Sequence, residues 1–178
     1  MSVHHPGVGR LTDFGPTVLI PAAWTVTLAA HRAVVARRTL LIALCVMDVL
    51  LVAFYLAGRA EMTGPVLGIW RRVLLAGFVA TLAGTVDLAV GADSDPVALL
   101  TLYAWMVLPG AAYVATARAV ETDPYRRVYL AGGTLSLVGA ATYALAAVVG
   151  PWGVVAGLAT VGVGQTAGIV AAAVQNAG

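Results

Sequence analysis

Apolar stretches about twenty residues long, separated by arginines and short polar turns, constrain this chain more than any motif it carries. A bilayer core roughly 30 Å thick is crossed by about 20 mainly apolar residues in a helix. Five stretches meet that length, at residues 39–57, 73–91, 96–117, 128–149 and 151–174. A helix satisfies its own backbone polar groups in lipid, which an open sheet cannot do. Period-2 alternation is absent and the runs are too long for barrel strands, so a transmembrane barrel is excluded. The expected fold is an all-α, polytopic integral membrane helical bundle, a single membrane domain over residues 1–178.

Composition agrees with this. The chain is 61% hydrophobic and 10% charged, against roughly 45–50% and about 25% in soluble domains. Its ten basic residues are all arginine. Without lysine there is no Schiff-base chemistry and no intact P-loop. The single cysteine, Cys45, excludes an intrachain disulfide and a cysteine-based zinc site.

The connections fit antiparallel helices. Residues 91–96 form a polar turn, with Asp95 placed to cap a helix and Pro96 at its first position. Glu121-Thr122-Asp123-Pro124 repeats that chemistry, and Gly150-Pro151 reads as a tight hairpin. A sixth span is expected over residues 17–36, where an apolar run contains Pro21 and ends near His31-Arg32. Arg32 would snorkel to the headgroups. A signal peptide fits this segment poorly, because Asp13 offsets Arg10 and Leu28 spoils a small-x-small cleavage site.

Arginines flanking spans concentrate on the cytoplasmic side. Six spans with both termini cytoplasmic put seven arginines inside (10, 59, 71, 72, 118, 126, 127) and three outside (32, 37, 38). Five spans with the N-terminus outside give six against four, so six is the better reading and five the alternative. Both leave Arg37 and Arg38 on the unexpected face.

Arg71-Arg72-Val73-Leu74-Leu75-Ala76-Gly77 resembles Arg126-Arg127-Val128-Tyr129-Leu130-Ala131-Gly132. At this offset of 55 there are nine identities over residues 71–91, where chance gives about two. One reading is a parallel repeat of two helical hairpins, as in transporter-like folds with a site between the halves. The plainer reading is that arginine pairs anchor topology.

Few residues could carry chemistry. Asp48 lies at the midpoint of its span, where a charge costs about 2.5–3.5 kcal/mol and marks a functional site by default. It reads either as a proton or cation site or as a carboxyl kept neutral by desolvation and hydrogen-bonded to a neighbouring helix. Asp87 sits near the outer end of its span, close to Asp93 and Asp95. Gln165, midway along the last stretch, reads as a helix-bridging amide or a contact for a polar substrate. Pro109-Gly110 interrupts its span, and a kink is expected near Trp105 and Met106. Tyr103, Trp105, Tyr113 and Tyr143 are deep enough to line a cavity, though core packing is the commoner use. Trp24, Trp70, Trp152 and Tyr125 read as interfacial anchors. Gly153 and Gly157, then Gly164 and Gly168, form two G-x-x-x-G pairs that allow close backbone approach, within the bundle or in a homodimer seam.

No nucleophile–base–acid set is visible, and Ser136 has no histidine near it in sequence. With Met1 removed, Ser2-Val3-His4 and His5 could chelate copper or nickel, but no metal site, cofactor or nucleic-acid partner is expected. Three functions remain in order. The first is a small permease or solute-binding component in the cell membrane, with Asp48, Asp87, Gln165, Trp105 and Tyr103 as candidate ligands. The second is a non-catalytic subunit contacting other membrane subunits or its own copy. The third is an intramembrane enzyme. A permease requires a cavity shared by Asp48 and Gln165. A structural subunit requires Asp48 to be hydrogen-bonded in a closed interface.

Overall fold

The computed structural model describes residues 6–60, 62–92, 94–121 and 123–177. They form six long helices and one short turn of helix: α1 (Pro6–His31), α2 (Arg37–Gly58), α3 (Pro65–Val90), α4 (Asp95–Ala119), α5 (Asp123–Ala144), α6 (Ala146–Val149) and α7 (Pro151–Ala177). No strand occurs among the described residues. Four helices, α2, α3, α4 and α7, are each long and apolar enough to cross a membrane. α5 lies between two of them, packed on α4 and α7, and α1 packs on α7.

The helices pack in the order α2, α3, α4, α5, α7, α1. Consecutive neighbours run antiparallel. His31 at the end of α1 meets Tyr143 at the end of α5, while Tyr129 near the start of α5 meets Gln175 near the end of α7. Arg37 at the start of α2 reaches Leu88 near the end of α3. The 32–36, 91–94 and 145–150 connections therefore share one end. The 59–64 and 120–122 connections share the other, together with the start of α1 and the end of α7.

Several boundaries differ from the expectation. α1 occupies 6–31 rather than 17–36. It is closed by a Schellman arrangement, with Val34 N–H on Ala29 O at 3.0 Å and Ala33 N–H on Ala30 O at 2.9 Å. Ala33 takes the left-handed conformation this needs, at φ 55°. α3 begins at Pro65, eight residues before 73, because proline at a first helical position has its φ preset and lacks only a donor no turn would use. It ends on Gly91 at φ 75°, a conformation that favours glycine. The expected helix over 128–149 is broken at Leu145, whose backbone at φ −83°, ψ 0° leaves the α region. α4 runs unbroken through Pro109.

Backbones come closest between α5 and α7. A Cβ on Gly139 would lie 2.7 Å from Gly157 O, and one on Gly132 would lie 2.6 Å from Gly164 O. Lipid competes with apolar side chains as a solvent, so contacts of this closeness, not burial as such, hold the pair. The two arginine-led hairpins share a device here. Gly77 and Gly84 of α3 face Trp105 and Thr101 of α4, while Gly132 and Gly139, at the same offset of 55, face α7. Gly153 is buried on the same last helix.

Candidate functional site

Four helices, α1, α4, α5 and α7, meet around Gln165, which is 3% exposed. Its Oε1 accepts from Trp24 Nε1 of α1 at 3.1 Å. Its Nε2 donates to Trp105 O of α4 at 2.8 Å and to Ser136 Oγ of α5 at 2.9 Å. Ser136, fully buried, donates its hydroxyl hydrogen bond to Met106 O at 2.8 Å. Tyr113 OH donates to Gln165 O at 3.1 Å, its ring seated where any side chain on Gly168 would stand.

The Trp105 carbonyl has a particular reason to need Gln165. In an α-helix it would accept from the N–H of residue 109, and residue 109 is proline, which has none. Pro109 and Gln165, separate candidates in the sequence, thus serve one acceptor. Gly110, next to Pro109, lets α5 approach, since a Cβ there would lie 3.1 Å from Ser136 Cβ.

A second polar group continues the seam toward α2. Trp105 Nε1 donates to Thr81 Oγ1 at 2.8 Å, and Thr81 donates to Gly77 O at 2.8 Å. One turn along α3, Thr85 Oγ1 lies 2.7 Å from Asp48 Oδ2 and 3.0 Å from Thr81 O. Asp48 is 9% exposed, and its Oδ1 is buried without a hydrogen-bond partner.

The remaining candidates are dispersed. Asp87 lies at the 91–94 end, where Oδ2 accepts from Ser94 N at 2.9 Å and Oδ1 from Ser94 Oγ at 2.6 Å. Its carboxyl ties the last turn of α3 to the first residue before α4. Tyr103 packs edge-on to Tyr143, with ring centroids 5.7 Å apart. Tyr143 in turn meets His31, whose Nδ1 is 2.9 Å from Thr27 O and Nε2 2.8 Å from Tyr143 OH. Nδ1 donates to the Thr27 carbonyl, and the Tyr143 hydroxyl is within hydrogen-bond distance of Nε2. Trp24 is not an interfacial anchor: it is buried and bound to Gln165, because α1 packs on α7 at that height. Trp70 is half-buried, its Nε1 3.2 Å from Thr116 Oγ1. Trp152 is 76% exposed. Asp93 and the histidines at 4 and 5 lie outside the described residues.

Arg37 also has a physical role on its unexpected face. Its guanidinium donates to Leu88 O at 2.6 Å, a carbonyl in the last turn of α3, where a cation complements the helix dipole.

Two surface depressions, of about 380 and 330 Å³, lie along α3 and α4 near Arg71 and Arg72, and neither is lined by Asp48 or Gln165. Comparison with protein-family models, with curated proteins and with solved structures found no match. The site therefore has to be interpreted from its own chemistry. Its polar atoms are donors and acceptors between helices, and the Ser136 hydroxyl donates to the Met106 carbonyl.

The sequence singled out Asp48, Gln165, Trp105 and Pro109, read Trp24 only as an interfacial anchor, and did not single out Thr81 or Thr85. Thr81 and Thr85 carried a signal, a polar pair at i, i+4 on the helix facing Asp48. Trp24 carried none, because the neighbour of α1 is the last helix of the chain.

Proposed function

We propose that this multi-pass membrane protein is a non-catalytic subunit of a larger assembly in the cell membrane, with both termini cytoplasmic and α2 directed at the neighbouring subunit. The observation that carries this reading is Gln165. Its three side-chain hydrogen bonds all go to other helices and use both amide protons inside the bundle. α2 supports the second half of the reading. Its principal neighbour among the described residues is α3, and only 6% of its apolar stretch is buried, against 28%, 33% and 39% for α3, α4 and α7.

Cys45 makes the test direct, because the one cysteine of the chain is exposed on α2. A photoreactive maleimide on Cys45, activated in native membranes, should give a discrete protein adduct identified by mass spectrometry. A second copy of the chain would make the assembly a homo-oligomer, and a different chain would name the partner. Lipid adducts alone would overturn the reading.

A second reading, a small permease or solute-binding component, is favoured by one observation, the unpartnered and buried Asp48 Oδ1. Reconstituted vesicles carrying Asp48→Asn should then lose solute or proton-coupled uptake that the unaltered protein supports. Equal uptake by both proteins would refute it.

A further inference from the structure

Two depressions meet at the end of the bundle that carries the 59–64 connection. The first, about 380 Å³, is the more polar and is bordered by Thr63, Arg71 and Arg72. The second, about 330 Å³, is a trough between α3 and α4 bordered by Val73, Ala76, Leu108, Ala111 and Ala115. Ile69 and Arg72 border both, so the two adjoin. Along this seam α4 presents alanines, which leave a furrow where larger side chains would fill it.

The depth of each part matters. Arg71 and Arg72 immediately precede the apolar run from Val73 to Val90, so their guanidinium groups stand at headgroup level. The trough then runs into the hydrocarbon. From Ile69 to Ala76 it covers about 10 Å along α3 at 1.5 Å per residue. Neither arginine makes a hydrogen bond or ion pair with any described residue, in contrast to Arg127, which pairs with Asp123, and Arg37, which holds Leu88 O.

We propose that this composite depression is a binding site for an anionic phospholipid, its phosphate between Arg71 and Arg72 and one acyl chain in the α3–α4 trough. A guanidinium is weakly hydrated and matches phosphate oxygens with paired donors. A zwitterionic lipid would fill the trough equally well but would bring no net charge to the arginines. Free phosphate would meet the arginines but leave the trough empty. The anionic diacyl lipid alone uses both. This end also holds seven of the ten arginines, which faces it toward the leaflet richer in anionic lipid.

The test uses the purified full chain in mild detergent, titrated with dioleoyl phosphatidylglycerol, dioleoyl phosphatidylcholine and inorganic phosphate, with bound lipid counted by native mass spectrometry. The unaltered protein should prefer the glycerol lipid. Arg71→Gln with Arg72→Gln should reduce that preference roughly 30-fold, from about one kcal/mol per arginine at a membrane surface. Ala111→Phe should weaken binding of the glycerol lipid by filling the trough, with both arginines intact, so the proposal stays testable if the arginine variant misfolds. Arg126→Gln with Arg127→Gln, the other arginine pair at this end, should leave the preference in place. Equal binding of the two lipids would overturn the proposal. So would displacement of the glycerol lipid by inorganic phosphate, no effect of Ala111→Phe, or an equal loss from both arginine pairs, which would mean diffuse attraction to the charged end.

Discussion

Replacing Gln165 with leucine tests whether the central node holds the bundle together. The side chains are similar in size, so the change removes hydrogen bonds without opening a large cavity. Three bonds are lost, from Trp24 Nε1 at 3.1 Å, to Trp105 O at 2.8 Å and to Ser136 Oγ at 2.9 Å. Side-chain hydrogen bonds between membrane helices average about 0.6 kcal/mol and reach about 1.7 kcal/mol. The sum is about 2 kcal/mol at the average value and about 5 kcal/mol at the upper limit. The same change in a Pro109→Ala background should cost less. Alanine at 109 restores the N–H that Trp105 O lacks, so that acceptor no longer depends on Gln165. The coupling should be about 0.6–1.7 kcal/mol, the worth of that one bond. Reversible unfolding in mixed micelles, followed by tryptophan fluorescence, reports it directly, since Trp24 and Trp105 belong to the node. Equal costs for Gln165→Leu in the two backgrounds, within about 0.3 kcal/mol, would refute the coupling of Pro109 to Gln165.

Gly157→Val places side-chain atoms where Gly139 O already lies 2.8 Å from the Cβ position, so α5 and α7 must separate. A loss of several kcal/mol or failure to recover a folded bundle is expected, read as a fall in midpoint temperature in detergent; an unchanged midpoint would contradict the packing. Ala33→Gly should stabilise the protein by about 1 kcal/mol, because alanine at φ 55° carries a left-handed strain that glycine does not. The same melt reads it, and destabilisation would argue against the Schellman end of α1. Thr85→Val removes the hydrogen bond that Thr85 makes to the Asp48 carboxyl. Backbone hydrogen exchange in α2 should rise while that of α5 and α7 stays constant; uniform exchange across the helices would show that α2 is held by other means.

The helical membrane class was legible because lipid imposes a length and a backbone rule that leave a plain trace in sequence. Helix ends were less legible where they depend on conformation alone. Nothing in Ala33 announces a left-handed residue, since glycine is the usual signal. Pro65 is a start signal of the usual kind, yet the expected span starts at Val73, because Arg71 and Arg72 mark the edge of the hydrocarbon and not the end of the helix. At the centre, Gln165 and Pro109 each stood out as a polar or backbone-breaking residue in an apolar run. Their connection did not, because 56 residues separate them in sequence and only the packing of α7 beside α4 and α5 joins them.

The same reasoning separates α2 from the other helices. Helices α5 and α7 approach so closely at their glycines that dispersion and close packing hold them, with polar bonds added at the node. α2 has no glycine before its final residue and carries Val46, Val49 and Leu56 on its open side. To such a surface, lipid tails are as good a solvent as α3. Its specific polar ties to α3 lie at two depths, Arg37 on Leu88 O at the helix end and Asp48 with Thr85 near the middle. A carboxyl at mid-membrane, costly anywhere in lipid, is least costly where another helix supplies a hydroxyl. Asp48 therefore fixes both the depth and the rotation of α2 on α3, and the remaining apolar face of α2 is what a neighbouring subunit would meet.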